Sequence, residues 1–296
     1  MEPLKDILGF DPPHIAVLDI GAMIEGADRY TPLVEQGIAS VTGFEPQSDK
    51  RAELEARHQT HRYLPYFLGP GGKAKFHVCR FPGCSSIYEP DPSVIDLFAT
   101  IGASEDGNFA VTEIIDIETR RLDDLDDCPA PDFAKLDIQG AELEALKGGV
   151  AKFAGTVVME IEVCFLPLYK DQPLFGEVQS WMRGQGFVLH KLIDIAGRTF
   201  RPIELGNRPF TPISQMLWAD AIFVRDFSAL ERWTDDALLK GAVVLFDLYR
   251  SSDLVARLLL EHDSRTGGDL GARYIARLGE TGMPKPHILN IKTTSS

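Results

Sequence analysis

The residues best suited to hold a nucleoside stand where short apolar runs end. In Asp19-Ile20-Gly21-Ala22 a glycine closes the run His14 to Ile20. A glycine between strand and helix lets the backbone approach a ligand closely, and the helix N-terminus beyond it offers unpaired N–H groups to a carboxylate. Glu45 closes the run Ala39 to Phe44, 24 residues after Gly21. A carboxylate there presents two acceptors in one plane and can take both hydroxyls of a ribose. The competing readings are a purely structural glycine and a solvated glutamate, and the pairing of the two at this spacing weighs against both.

Two cofactors use a ribose-binding acid at this place, and the glycines discriminate between them. A dinucleotide site needs G-x-G-x-x-G to admit the pyrophosphate, whereas here Ala22, Met23, Ile24 and Glu25 separate Gly21 from Gly26. Glu25 would repel a diphosphate and is tolerable beside a cationic sulfonium. The residues therefore favour S-adenosylmethionine over a nicotinamide cofactor. An NAD(P)-dependent oxidoreductase is the weaker alternative.

Such residues must be carried by parallel strands. His14 to Ile20, Ala39 to Phe44, Phe133 to Ile138 and Thr156 to Val163 are short apolar runs, each followed by a polar turn and a helix-like stretch. Continuous apolar runs between helices mark strands buried on both faces by crossover helices. Helices are expected over Asp28 to Gly37, Ser48 or Asp49 to about His58, Ala141 to Gly148 and Phe175 to Gly186, with a strand over Phe187 to Ile193. Between residues 70 and 125 short alternating pieces such as Lys75 to Arg80 and Val111 to Ile117 read as an inserted antiparallel element. After Arg225 two apolar stripes, one on Leu238, Ala242, Leu245, Phe246 and Tyr249 and one on Leu254, Val255, Leu258 and Leu259, read as C-terminal helices.

The segment Lys135-Leu136-Asp137-Ile138-Gln139-Gly140-Ala141-Glu142-Leu143-Glu144-Ala145-Leu146-Lys147-Gly148 carries the most specific signal. It resembles the K-I-D-x-E-G-x-E-x-x-x-L-x-G segment of FkbM methyltransferases, matching at Lys135, Asp137, Gly140, Glu142, Leu146 and Gly148. Leu122-Asp123-Asp124-Leu125 resembles that family's L-D-D-L element, and Asp19-Ile-Gly-Ala and Gly-Phe-Glu45-Pro resemble its first two motifs. The resemblance spans residues 15 to about 165 and runs more weakly to Arg225. Met23, Glu25 and Gln139 depart from the pattern, Gln139 standing where the family has a glutamate. An amide keeps hydrogen bonding and loses the charge, which argues against Gln139 as a base or metal ligand.

The resemblance implies an α/β, Rossmann-like class I methyltransferase fold, a seven-stranded mostly parallel sheet with helices on both faces. Residues 1-226 would form the methyltransferase domain, with the β insertion at about 70-125, 227-283 the helical appendage and 284-296 a tail. It also implies methyl transfer from S-adenosylmethionine to an oxygen, with a small-molecule hydroxyl acceptor such as a sugar or natural product. Asp19, Gly21, Ala22, Glu45 and Asp137 would surround the cofactor, with Leu68 or Gly69 at the third strand's end approaching the adenine. Deprotonating a hydroxyl needs a base or a metal. Asp137, Glu142, Glu160 and Glu162 are the candidates, and Asp137 with Glu160, at the ends of neighbouring strands, is the expected catalytic pair. A hard divalent ion could bind such a rim, but capping or solvated acids are the commoner case, and no metal is expected. A non-catalytic binding protein that retains the fold is the alternative the departures suggest.

Three further segments bear on the site. Cys84-Ser85-Ser86-Ile87-Tyr88-Glu89-Pro90 resembles an S-S-L-Y-x-P element that would close over the cofactor, or is a plain turn. Phe165 to Lys170 would wall the acceptor pocket. His58 and His61 have ligand-like spacing without an acidic partner, which favours a surface role.

Composition bounds the rest. A formal charge of −14 and a pI near 4.9 without a basic patch disfavour nucleic acid. Four scattered cysteines fit a reducing cytoplasm and complete no zinc site. No apolar stretch reaches the ~18 residues of a membrane span, and no leader pattern opens the chain. An apolar face on the C-terminal helices could serve a homodimer.

Overall fold

The computed structural model describes residues 2–21 and 28–278. Ala22, Met23, Glu25 and the expected tail at 284–296 lie outside the described residues. Ten strands follow in chain order: β1 Ile15–Ile20, β2 Ala39–Phe44, β3 His61–Leu64, β4 Phe67–Leu68, β5 Gly72–Cys79, β6 Val111–Arg120, β7 Phe133–Leu136, β8 Val158–Cys164, β9 Phe187–Gly197 and β10 Met216–Arg225.

Seven of them form one sheet in the order β3-β2-β1-β7-β8-β10-β9. The first five pair in parallel, and β10 runs antiparallel between β8 and β9. This is the expected Rossmann-like class I methyltransferase architecture. Ile15, Val17, Leu18, Ile20, Phe133, Ala134, Leu136, Val158, Met159 and Ile161 are all buried, as strands covered on both faces require. The order of connection reverses between β1 and β7, which makes their C-terminal ends the switch point where α/β sheets bind ligands.

The insertion is a second sheet, β4-β6-β5, in which β5 and β6 are antiparallel and β4 joins β6 in parallel. Pro65 separates it from the main sheet. A proline has no N–H to continue a ladder, so β3 ends at Leu64 and the next strand departs into the small sheet. This corrects the expectation for Leu68 and Gly69, which belong to the small sheet and not to the end of the third main strand.

Helices Asp235–Asp247, Ser252–Thr266 and Leu270–Leu278 form the second compact unit. Thr234 caps the first through its side chain, accepting from the Ala237 N–H at 3.1 Å. The third helix has its own reason to pack closely: a Cβ at Gly271 would stand 2.8 Å from the Leu260 nitrogen. The N-terminal helix Leu4–Leu8 belongs to this unit, unlike the expected 1-226 grouping. Leu4 and Leu8 are buried, the Leu4 N–H donates to Asp247 Oδ1 at 2.9 Å, and Arg273 donates to the Leu8 carbonyl. Among the described residues no helix is long and apolar enough to cross a membrane.

Candidate active site

The sheet's switch point fixes Gly21 against Asp137. Ile20 and Leu136 are register partners, and the Asp137 N–H donates to the Ile20 carbonyl at 2.9 Å. Gly21 takes φ +105°, and a Cβ on it would stand 1.8 Å from the Asp137 carbonyl oxygen. Only glycine fits, so the two strand ends close to one another and the cleft opens beyond them.

That cleft has a volume of about 440 Å³ and is lined by Gly21, Glu45 and Asp137 at its polar end. The figure lies within the ~300–1,000 Å³ common to small-molecule sites. Tyr66, Leu68, Phe76, Phe81 and Ile87 form apolar walls, most of them contributed by the small sheet and the loop after it. Leu68 therefore borders the cleft, although from an unexpected strand. Gly69 does not line it; its N–H donates to the Arg120 carbonyl, and its neighbour is Thr119.

Glu45 is set by the turn after β2. One carboxylate oxygen accepts from the Gln47 N–H at 2.7 Å, and the other accepts no hydrogen bond among the described residues. Partial burial raises its pKa, with the Gln47 bond opposing. Asp19 does not reach the cleft lining. It is fully buried, accepts from the Tyr30 hydroxyl at 2.6 Å and faces the Lys135 ammonium at 3.8 Å. Burial pushes its carboxyl up to about 6, against the pull of Lys135. Asp19 therefore braces β1 against β7 rather than meeting a ligand.

The acids at the rim differ from the expected pair. Glu160 is one register step short of the rim: it lies opposite Lys135 on β7, and its carboxylate accepts from Arg29 Nε at 2.9 Å. The same guanidinium pairs with Asp194 and, at 3.6 Å, with Asp220. Glu162, two residues on and on the same strand face, stands beside Asp137 instead. Gln139 joins them, its Nε2 donating to Asp137 Oδ1 at 2.8 Å and to Glu162 Oε2 at 3.1 Å. A glutamate here would add a third acceptor where two carboxyls need a donor, which gives the departure at this position a physical role.

Gln139 is itself held in a left-handed turn at φ 57°. Ser86 Oγ donates to its carbonyl at 2.7 Å, and the Tyr169 hydroxyl lies 3.2 Å from its Oε1. The Cys84 to Pro90 segment thus meets the cleft, with Ser85 and Ile87 in its lining. Glu142 lies beneath, accepting from the N–H groups of Ile138 and Gly140 at 2.8 and 3.1 Å. Asp137, Glu142 and Glu162 each offer an oxygen within 4.8 Å of the others, the one such group found among the described residues. One oxygen of each carboxyl accepts from Gln139 or from backbone N–H groups. His58 and His61 stack at 4.8 Å away from these acids, outside the cleft lining.

Burial pushes the Glu142 carboxyl up to about 7, and burial followed by the charge of Asp137 raises Glu162 well above its ordinary range. A raised acid keeps its proton in the fold at a pH where the unfolded chain has lost it. Its stabilising contribution is complete below the unfolded value of 4.5 and is lost as pH rises through about 7. The melting temperature is therefore expected to fall between pH 5.5 and 7.5, with a shallower slope in Glu142→Gln. An equal slope in the variant, read by differential scanning fluorimetry across that range, would remove Glu142 as a source of the effect.

A second, smaller cavity of about 170 Å³ adjoins the first. Phe81, Gly83 and Gln139 line both, and Glu162, Cys164, Tyr169, Arg198 and Trp218 are among the residues that line only the second. Leu168 and Tyr169, from the segment after β8, are also among its lining residues. Glu162 had a signal in the sequence, the i, i+2 repeat of Glu160. Arg198 had none.

The methyltransferase FkbM domain family model matches residues 19–189, more than half of the chain. No curated protein matches significantly. Among solved structures, the chain is similar to a TehB-like SAM-dependent methyltransferase from Corynebacterium glutamicum, at 13% identity and TM-score 0.34, covering 75% of this chain and 85% of that one. Precorrin-6y C5,15-methyltransferase from Geobacter metallireducens is similar at 11% identity and TM-score 0.35, with the same coverages. A third is 1,6-didemethyltoxoflavin-N1-methyltransferase from Burkholderia thailandensis, at 14% identity and TM-score 0.33, covering 75% and 74%.

Proposed function

Because the chain belongs to the FkbM methyltransferase domain family, with S-adenosylmethionine as its cofactor, we propose that it transfers the methyl group to the hydroxyl oxygen of a small molecule. The observation that carries the reading is Asp137, which lines a cavity of nucleoside size and is tied through Gln139 to Glu162 in the adjoining cavity.

The residues present fit the cofactor. Glu45 has one carboxylate oxygen without a hydrogen bond among the described residues, which suits a ribose hydroxyl. The apolar walls at Tyr66, Leu68 and Phe76 suit the faces of an adenine. When bound, S-adenosylmethionine supplies a methyl group on a cationic sulfur that departs with the electrons of the broken bond. The chain's part is to place the acceptor oxygen in line with that bond and to remove its proton. Burial raises the Glu162 carboxyl well above its ordinary range, and Asp137, which lines the larger cleft, is the group that takes the hydroxyl proton as the new O–C bond forms. Gln139 keeps both carboxyls in position while this happens.

Incubation of the full chain with methyl-labelled cofactor and hydroxylated sugars, phenols and alicyclic alcohols is expected to yield adenosylhomocysteine and label on oxygen. Label on nitrogen or carbon would overturn the acceptor class. Binding of adenosylhomocysteine with no transfer to any nucleophile would favour a non-catalytic role. Glu45→Ala is expected to weaken adenosylhomocysteine binding at least tenfold, about 1.4 kcal/mol. An unchanged dissociation constant by calorimetry would remove the ribose assignment.

A further inference from the structure

The smaller cavity is lined by a cation, Arg198, that makes no ion pair among the described residues. Arg198, at the start of the segment between β9 and β10, makes a single hydrogen bond among the described residues, from Nη1 to the Gly197 carbonyl at 2.7 Å. Its Nε is buried and has no acceptor. Among the described residues no carboxylate lies within ion-pair distance, in a chain whose acids outnumber its bases by 14. The acid that shares the cavity is Glu162, whose carboxyl burial raises well above its ordinary range.

The guanidinium is nevertheless firmly placed. Its carbon lies 4.9 Å from the centroid of the Trp218 ring and 5.2 Å from that of Phe210. With Nη1 bonded to Gly197, the Nε–Nη2 edge makes no hydrogen bond among the described residues, and it is the edge that pairs with a carboxylate through two parallel hydrogen bonds. The segment bearing it is tied down nearby, since Arg201 donates to the carbonyls of Phe98 and Ile101 at 2.7 and 2.8 Å. A buried donor without an acceptor is costly, and a ligand that supplies the acceptor recovers that cost.

We infer that the methyl acceptor is a hydroxy acid, whose carboxylate pairs with the Arg198 edge in the smaller cavity while its hydroxyl reaches Asp137 past Gln139. The inference rests on the methyl-transfer reading and narrows its substrate class. Gln139 lines both cavities, so a molecule seated on Arg198 and extending past Gln139 arrives at Asp137. Phe109, Ile101 and Trp218 supply apolar walls for its body, and at about 170 Å³ the chamber admits a ring-sized portion and no more. Arg198 is in this account a specificity-determining residue, and Asp137 remains the group that takes the proton.

The test measures binding of benzoate and cyclohexanecarboxylate, with benzyl alcohol and phenyl phosphate as comparisons, to the full chain by ligand-observed NMR, and adenosylhomocysteine affinity in parallel by calorimetry. At least one carboxylate is expected to bind at least tenfold tighter than benzyl alcohol. Arg198→Met is expected to abolish that preference, Arg198→Lys to retain part of it, and all three proteins to bind adenosylhomocysteine equally. The proposal is overturned if neither carboxylate outbinds the alcohol, if Arg198→Met keeps the preference, or if phenyl phosphate outbinds both acids. Failure of the native chain to bind adenosylhomocysteine would instead overturn the methyl-transfer reading.

Discussion

Asp137→Asn is expected to lower the rate of methyl transfer by roughly 10²- to 10⁴-fold, the range associated with losing a general base, with little change in melting temperature. The side chain keeps its size, and the asparagine oxygen can still accept from Gln139 Nε2, so the turn stays in place while the proton acceptor is lost. The deficit is expected in kcat rather than in KM. Raising pH should restore activity for acidic acceptors such as phenols, which ionise in solution, and should restore less for aliphatic alcohols. A rate within threefold of the native chain for an aliphatic alcohol would show that another group removes the proton. Glu162→Gln is the natural second variant, since its amide imitates the protonated acid and should cost far less.

Gly21→Val is expected to destabilise the sheet unit by about 3–6 kcal/mol, combining overpacking with a side chain forced to positive φ. Its Cβ would overlap the Asp137 carbonyl oxygen at 1.8 Å, and that atom is backbone, which cannot rotate away. Relief requires β1 and β7 to part at their C-terminal ends, which also moves Asp137. Urea denaturation should report the loss, and any folded fraction should bind adenosylhomocysteine at least tenfold more weakly. A variant with native stability would mean that the two strand ends are not held against each other as described. Gly37→Ala serves as a comparison, since it shares positive φ with no neighbour within 4 Å.

The parts of the fold that were legible in the sequence are those where burial writes itself as composition. Strands covered on both faces read as apolar runs, and their ends gave Gly21, Glu45 and Asp137 as cleft residues. Legibility failed where the answer depends on register or on distant neighbours. Glu160 and Glu162 lie on one strand face, and which of them reaches the rim depends on how β8 is set against β7. Leu68 stands in the small sheet and not at the end of the third main strand because β3 ends at Leu64, before Pro65. Asp19 was counted with the cofactor residues because its motif touches the site, although its side chain turns to Tyr30 and Lys135. The affiliation of Leu4–Leu8 and the role of Arg198 depend on residues some 240 and 20 positions away, Asp247 and Trp218, and no local pattern announces either.

The left-handed turn at Gln139 has a consequence for where the enzyme's expenditure falls. A side-chain-bearing residue at positive φ costs about 1–3 kcal/mol, and here that cost is met once, as the chain folds and Ser86 locks the peptide. Gln139 Nε2 is thereby already aimed at Asp137 and Glu162, so under the proposed reaction this donor is in place before any acceptor arrives and need not be oriented during turnover.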